Sequence, residues 1–392
     1  MNYDDYINRT VADIPPSGIR KFFDLVSTTE GAVSLGVGEP DFVTPWTYRD
    51  CAVKSIISGR TGYTANRGDK KLIDEITRYC RDRFGLDYDG NETIVTVGAS
   101  EGIDLALRTL VTPGDGVLVP DPSYVSYAPN VRIAGGVVKP IPLSASNGFK
   151  LTADALGRAI DKTCKLLILP YPNNPTGATL DRAELSALAA VIKNRGLFVI
   201  SDEIYAELTY GSRHVSIASL DGMKERTVTL NGFSKAFAMT GWRIGWLCAP
   251  RPVADAALKI HQYTIMCAPT ASQEAAYAAL RDGRDNDYER VEEMRAEYDR
   301  RRKFAVGMLG DMGLTCFEPK GAFYVFPEVE KRTGMDGESF AENLLRAQKV
   351  AVVPGTAFGT SGRSHVRCTY ASSLKTLNIA FERMREFLKS IG

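Results

Sequence analysis

Four segments of the chain place polar, reactive side chains at the ends of apolar runs, where a buried strand has no structural need for them. Asn174 sits in NNPTG, residues 173–177, directly after the run KLLILPY. Asp202 closes the run LFVIS, and Tyr205 follows three residues later. Lys235 and Arg243 stand eight residues apart in NGFSKAFAMTGWRIGW, just after TVTL. Arg367 lies in VRCTYA, near the C-terminal end. Taken singly, each has an ordinary explanation: NPTG suits a turn, an aspartate caps a helix, and a lysine sits in solvent. Together, and in this order, they match the demands of one cofactor.

Pyridoxal 5′-phosphate (PLP) needs a lysine amine to attach to, a carboxylate at its pyridine nitrogen and an anion cradle for its phosphate. Lys235 supplies the amine. Asp202 fits the carboxylate, because an ionised aspartate there keeps the ring protonated and makes it a better electron sink. Tyr205 and Asn174 can donate hydrogen bonds to the ring O3′, which lowers the basicity of the nitrogen that joins lysine to cofactor. For the phosphate, the run TIVTVG ends in Gly98-Ala99-Ser100-Glu101 and leads straight into a helix. The first backbone N–H groups of that helix, at Ala99 and Ser100, form an anion site together with the Ser100 hydroxyl. The same turn reads equally well as an ordinary helix N-cap. Ser234 and Arg243 add a hydroxyl and a guanidinium fork from the lysine segment. Tyr124, in DPSYVSY after GVLVPD, is placed to stack on the pyridine face.

These residues need a frame that brings strand ends together. Seven apolar runs between residues 93 and 250 read as buried strands: TIVTVG, GVLVPD, VVKPIPL, KLLILPY, LFVISDE, TVTLNGF and IGWLCAP. Helical periodicity fills several intervals, notably 100–110 and 181–195, where Leu185, Leu188, Ala189 and Ile192 share one face. Strand and helix alternating in this way imply an α/β fold with a mainly parallel sheet of seven strands. Ligands of such sheets sit at the carboxyl ends of the strands. After Arg251 the pattern changes to long helices, including a charged stretch over 285–309 whose simplest reading is a solvated face. Beyond it TCFEP, GAFYVFPEV, VAVVP and HVRCTYA read as strands, and 374–391 as a terminal amphipathic helix, so this part is α+β.

Composition excludes several classes. Lys plus Arg number 48 against 47 Asp plus Glu, a formal charge of +1 that gives no global reason to seek nucleic acid or an anionic membrane. The seven cysteines are dispersed and never form a CxxC pair, as expected of reduced thiols filling a core. Three histidines without an HExxH pattern make a zinc site an unfavourable reading. The first ten residues lack an apolar core, and nothing later approaches the ~18 apolar residues of a membrane span, so a cytoplasmic protein is expected.

SLGVGEPDF, YTANRG, VTVGASEGID, PNNPTG, VISDEIY, NGFSKAFAMTGWRIGW, KGAFYVFP, VAVVPGTAFG and VRCTYA together resemble the class I/II aminotransferases of PLP fold type I. The resemblance runs from about Ile14 to the C-terminus and is greatest to the aromatic-amino-acid and aspartate aminotransferase branch. It implies a large domain at 46–285 and a small domain built from 1–45 and 286–392. It implies that Lys235 carries the cofactor and moves the proton at the substrate Cα, and that Asp202, Tyr205 and Asn174 hold the ring. Arg367 matches the arginine that takes the substrate α-carboxylate with help from Asn174, and Gly38 a backbone contact to the same group. Tyr63 matches a tyrosine that crosses a homodimer interface to the partner's phosphate. Gly232 departs from the pattern, standing where some aspartate enzymes have a serine. No arginine for a side-chain carboxylate is evident by motif position; Arg20, in SGIRKFFD, is the candidate.

The expected reaction is therefore transfer of an amino group from an L-amino acid, aromatic or aspartate, to a 2-oxoacid such as 2-oxoglutarate by a ping-pong mechanism. A C–S β-lyase on the same scaffold is the alternative. A non-catalytic regulator is disfavoured because few residues precede the matching segments, and a nicotinamide dehydrogenase because GVG in SLGVGEP lacks the rest of the GxGxxG fingerprint.

Overall fold

A computed structural model of the protein describes residues 1–16, 18–19 and 29–392. After a two-residue strand β1 (Val33–Ser34), each of the seven apolar runs forms a strand: β2 (Thr93–Thr96), β3 (Gly116–Asp121), β4 (Val137–Pro142), β5 (Cys164–Leu169), β6 (Phe198–Asp202), β7 (Thr227–Gly232) and β8 (Gly245–Cys248). They build one sheet in the order β2-β8-β7-β6-β5-β3-β4. Every pairing is parallel except those of β8, which runs antiparallel to both β2 and β7. β2, β3, β7 and β8 are buried along their whole length, which is why they read as unbroken apolar runs. β4 is the exception: of the two edge strands, β2 and β4, it is the one largely exposed, and it tolerates Pro140 and Pro142 because an edge leaves some N–H positions unpaired.

The helix Arg182–Arg195 shows how sequence pattern becomes packing. Asp181 and Glu184 cap its start reciprocally, and Gly196 ends it in the left-handed conformation. Its buried residues are Leu185, Leu188, Ala189 and Ile192, the face expected from periodicity. Across the sheet, the helix Gly98–Leu110 buries Ile103, Leu105, Ala106 and Leu107 against β7 and β8. Parallel strands covered in this way bring the carboxyl ends of β2, β3, β5, β6 and β7 to one edge. The antiparallel β8 adds its amino end there, since Gly245 pairs with both Thr96 and Gly232.

The rest of the chain caps that edge with two small sheets. β9 (Tyr324–Val325), β11 (Val353–Pro354) and β12 (Val366–Thr369) form an antiparallel sheet with β12 central, and β10 (Val350–Ala351) pairs in parallel with β1. TCFEP, expected as a strand, is irregular: its carbonyl at Thr315 accepts one ladder-like bond from Glu328 N–H, and Pro319 closes the segment without a donor. The charged helix, Glu289–Asp311, is not merely a solvated face. It buries Val291, Met294, Tyr298, Ala305 and Leu309, and with them Arg301 and Arg302. Both arginines are paired, Arg301 with Asp41 and Glu297, Arg302 with Asp299 and Glu318, which is what makes their burial tolerable. The terminal helix Leu374–Ser390, capped by Ser373, packs on the same core. That core also contains Tyr205 and Leu208 from the segment after β6, so the small sheets sit directly over the sheet edge. Among the described residues no helix is long and apolar enough to cross a membrane.

Candidate active site

The carboxyl edge of the large sheet and the small sheets enclose a cavity of about 460 Å³, within the range of small-molecule sites. Gly38, Ala99, Ser100, Tyr124, Asn174, Asp202, Tyr205, Ser234, Lys235, Arg243 and Arg367 all line it, so eleven residues chosen from sequence converge on one space. Ile19 joins them. Tyr63 does not: it is 82% exposed on this chain's surface. Arg20 lies outside the described residues.

Strand ends explain the convergence. Asp202 is the last residue of β6, and two groups hold its carboxylate: Tyr127 Oη donates to Oδ2 at 2.8 Å and Ile204 N–H to Oδ1 at 3.2 Å. Burial pushes this carboxyl up to about 6, against the pull of both donors. Lys235 follows β7, and its Nζ donates to the Gly38 carbonyl at 2.7 Å. Burial pushes that amine down to about 8; Arg367 and Arg243 add to the effect, and Glu39 opposes it. A lysine so depressed has an appreciable neutral, nucleophilic fraction near physiological pH.

The anion cradle is built from a turn and a guanidinium. Gly98 has φ +75°, and a Cβ there would lie 2.7 Å from Arg243 Nη2, so only glycine lets the arginine pack beneath the turn. Ser100 is not the cap of the helix that follows. The N-cap is Val97, which has no side-chain cap bond, and the Glu101 carboxylate instead accepts the Val97 N–H. The Ser100 hydroxyl therefore faces the cavity without the capping duty that the bland reading assigned it. Gly232 also finds its reason here: a Cβ would crowd Gly245 Cα at 3.0 Å, where β7 and β8 approach closely.

Arg367, on β12, is 2% exposed. It donates to Asn174 Oδ1 at 2.9 Å and to the Gly36 carbonyl at 2.6 Å, and its guanidinium lies 4.4 Å from the Tyr324 ring centroid. None of Lys235, Arg243 and Arg367 forms an ion pair with a described carboxylate; their hydrogen bonds go to carbonyl or amide oxygens. Three cations held over one cavity on neutral partners constitute a site prepared for anions.

Among the lining residues that escaped sequence reasoning, two hold members of the expected set. Tyr127 holds Asp202, and Tyr324 Oη meets Tyr205 Oη at 2.9 Å. Both lie in segments that drew attention, DPSYVSY and KGAFYVFP, but a tyrosine whose partner is distant in sequence gives no local signal.

The family model for aminotransferase class I and II matches residues 30–384. This chain belongs to the class I and II aminotransferases. It is thus a PLP-dependent enzyme that transfers amino groups. YugH of Bacillus subtilis, which carries an aminotransferase name, is 50% identical over 384 residues, 98% of each chain. The aromatic-amino-acid aminotransferase 2 of Thermococcus litoralis is 43% identical over 378 residues, 96% of each. The structure of Thermus thermophilus aspartate aminotransferase with maleate superposes with a TM-score of 0.92 at 36% identity, covering 97% of this chain and 99% of that one. All three carry aminotransferase names and none a C–S lyase name, which favours transfer over β-elimination. For an aminotransferase the donor set fits the cofactor: a depressed lysine, a buried carboxylate already held by two donors, and a glycine turn over an arginine without an acidic partner.

Proposed function

We propose that this aminotransferase moves the amino group of an L-amino acid, aromatic or aspartate, to a 2-oxoacid such as 2-oxoglutarate in a ping-pong cycle. The observation that carries the reading is the placement of Lys235 Nζ and the Arg367 guanidinium on one cavity floored by Asp202. When bound, PLP supplies the electron sink for bonds broken at the substrate Cα. The protein does the rest. Arg367, oriented by Asn174, takes the α-carboxylate with its planar fork. Lys235 moves the proton at Cα. Asp202, fixed by Tyr127, would hold the proton on the ring nitrogen, while Tyr205 and Asn174 would donate to the ring oxygen. Tyr124 would cover a ring face. Ser234, Arg243, Ser100 and the Ala99 and Ser100 N–H groups would take the phosphate.

Side-chain selectivity follows from the remaining walls. Ile19, Val37 and Ile103 are apolar and Tyr124 and Tyr324 amphipathic. Burying apolar ligand surface gains roughly 25 cal/mol per Å², which favours an aromatic donor over a small one. The relatives bear names of both kinds, aromatic and aspartate. A screen of amino donors read by conversion of 2-oxoglutarate to glutamate is expected to give phenylalanine or tyrosine the highest kcat/KM, with aspartate next. A profile led by alanine or lysine would overturn this reading. Arg20→Leu extends the test: selective loss of aspartate and 2-oxoglutarate turnover, with phenylalanine half-reactions spared, identifies Arg20 as the distal carboxylate partner.

The proposal includes a homodimer with a large domain at 46–285 and a small one from 1–45 and 286–392. Its support is an apolar face: Trp46, Ile56 and Ile57 of the helix Trp46–Ile57, then Tyr63, project into solvent. Exposed apolar surface of this kind marks association. Tyr63 would then reach the partner's phosphate site. Mixing an inactive Tyr63 variant with an inactive Lys235 variant should restore partial activity, because one of the two sites in the mixed dimer carries neither lesion. No recovery after confirmed subunit exchange would place both residues in the same chain's site.

A further inference from the structure

Tyr324 touches three of the groups on which the proposed chemistry depends. It begins β9 and pairs with Thr369 of β12, two residues from Arg367. Its hydroxyl lies 2.9 Å from Tyr205 Oη, although the two residues are 119 positions apart. Its ring supports the Arg367 guanidinium at 4.4 Å. Its hydroxyl also fills the space at Gly38, where a Cβ would come within 2.5 Å; the Gly38 carbonyl in turn accepts from Lys235. Tyr205 and Tyr324 are both buried, so neither hydroxyl has bulk water as an alternative partner.

Two phenols that share one hydrogen bond have one proton left over, and what faces the pair decides where it points. Arg367 lies over the Tyr324 ring, and Lys235 Nζ stands 5.8 Å from the Tyr205 ring centroid. Tyr124 is a further titratable neighbour of both and Tyr127 of Tyr205, while Phe323 packs edge-on to Tyr205. Burial raises both phenols, so each stays protonated near neutrality. The cation stacked on Tyr324 draws electron density from its ring and makes its hydroxyl the stronger donor. With the nearer cation on Tyr324, 4.4 Å against 5.8 Å for Tyr205, the favoured direction of the hydrogen bond is from Tyr324 O–H to Tyr205 Oη. The Tyr205 proton is then free for the cavity, and a hydroxyl that accepts one bond donates the next more strongly.

We propose that Tyr324 is a positioning residue: its hydroxyl commits the Tyr205 proton to the ring oxygen of the bound cofactor, and its ring carries Arg367. The inference rests on the reading of Tyr205 and Arg367 given above. Donation to the ring oxygen favours its anionic form and lowers the proton affinity of the nitrogen that joins Lys235 to the cofactor.

The readout is the pH midpoint of the holoenzyme's visible colour change, with KM measured alongside. Tyr324→Phe should raise the midpoint by about half a unit to one unit, the size expected for one lost hydrogen bond, and leave KM within about twofold because the ring remains. Tyr205→Phe should raise it further, and the double variant no further than Tyr205→Phe alone, since Tyr324 acts through Tyr205. Tyr324→Leu should in addition raise KM, by several-fold, as Arg367 keeps only the Phe358 ring, 4.8 Å away, of its two ring supports. A fluorinated tyrosine at 324, a stronger donor of the same shape, should move the midpoint downward and decides the matter if the phenylalanine variant fails to fold. A midpoint unmoved by Tyr324→Phe or by the fluorinated residue, with Tyr205→Phe still shifting it, overturns the role of Tyr324 alone. Additive shifts in the double variant overturn it too. If neither Tyr205→Phe nor Tyr324→Phe moves the midpoint, Tyr205 does not reach the ring oxygen, and the site reading fails at that residue.

Discussion

Replacing Lys235 by alanine is expected to replace the absorption band of the lysine-linked cofactor by that of the free aldehyde and to lower kcat by more than about 10³-fold, because the substitution removes an attachment point and a proton carrier at once. Lys235 has the one primary amine on the cavity wall, among the described residues. Burial lowers it to about 8, so the neutral amine is accessible without an extreme pH. Lys235→Arg should fare no better, since a guanidinium stays protonated and cannot attack a carbonyl. Cofactor should still enter the alanine variant, held by the Gly98 turn, Arg243 and Asp202, and be lost on dialysis faster than from wild type. The measurement is an absorption spectrum before and after dialysis, paired with oxoacid-dependent turnover. Full turnover by the alanine variant would contradict the assignment at its centre.

How much of this was legible in the sequence follows from how each residue is constrained. Parallel strands covered on both faces must be apolar throughout, so β2, β3 and β5 to β8 announced themselves as runs, and the polar residues that interrupt those runs at their ends marked the site. Asp202, Lys235 and Asn174 are visible for that reason. Strand order was not legible: nothing in IGWLCAP says that β8 inserts antiparallel between β2 and β7, because local pattern carries no information about pairing partner. The charged helix Glu289–Asp311 misled in the same way. Arg301 and Arg302 look like solvent residues until Asp41, 260 positions away from Arg301, and Glu318 are brought against them. Tyr127 and Tyr324 were missed because each acts on its partner through tertiary contact, at separations of 75 and 119 positions. The carboxylate role of Arg367, and Tyr63 altogether, became legible only through resemblance to a family, and geometry treats them differently: Arg367 stands in the cavity, while Tyr63 lies on a surface.

Asp202→Asn should separate activity from stability by moving them in opposite directions. Asparagine keeps Oδ1 for the Ile204 N–H, and its Nδ2 amide, standing where Oδ2 was, donates to Tyr127 Oη once that hydroxyl turns round, so local geometry survives. What it lacks is the charge that holds a proton on the ring nitrogen, and loss of such preorganised electrostatic stabilisation costs at least ~10²-fold in kcat. Stability responds through linkage. In the cofactor-free protein burial raises this carboxyl to about 6, above its unfolded value near 3.9, so the fold favours the protonated form. As pH rises from about 4 to 6 the unfolded chain ionises Asp202 while the native one does not, and stability falls over that window and stays reduced above it. The neutral amide never ionises, and the cofactor-free Asp202→Asn variant should be more stable than wild type by about 1–2 kcal/mol at pH 7, with the gap closing below pH 4. Urea denaturation of both cofactor-free proteins at pH 4, 5.5 and 7, beside kcat of the holoenzymes, reads both effects. A variant no more stable than wild type at pH 7 would show that the carboxylate carries no burial cost. A kcat within a few-fold of wild type would mean that another group keeps the ring nitrogen protonated, and Asp202 would then be a structural residue at the end of β6.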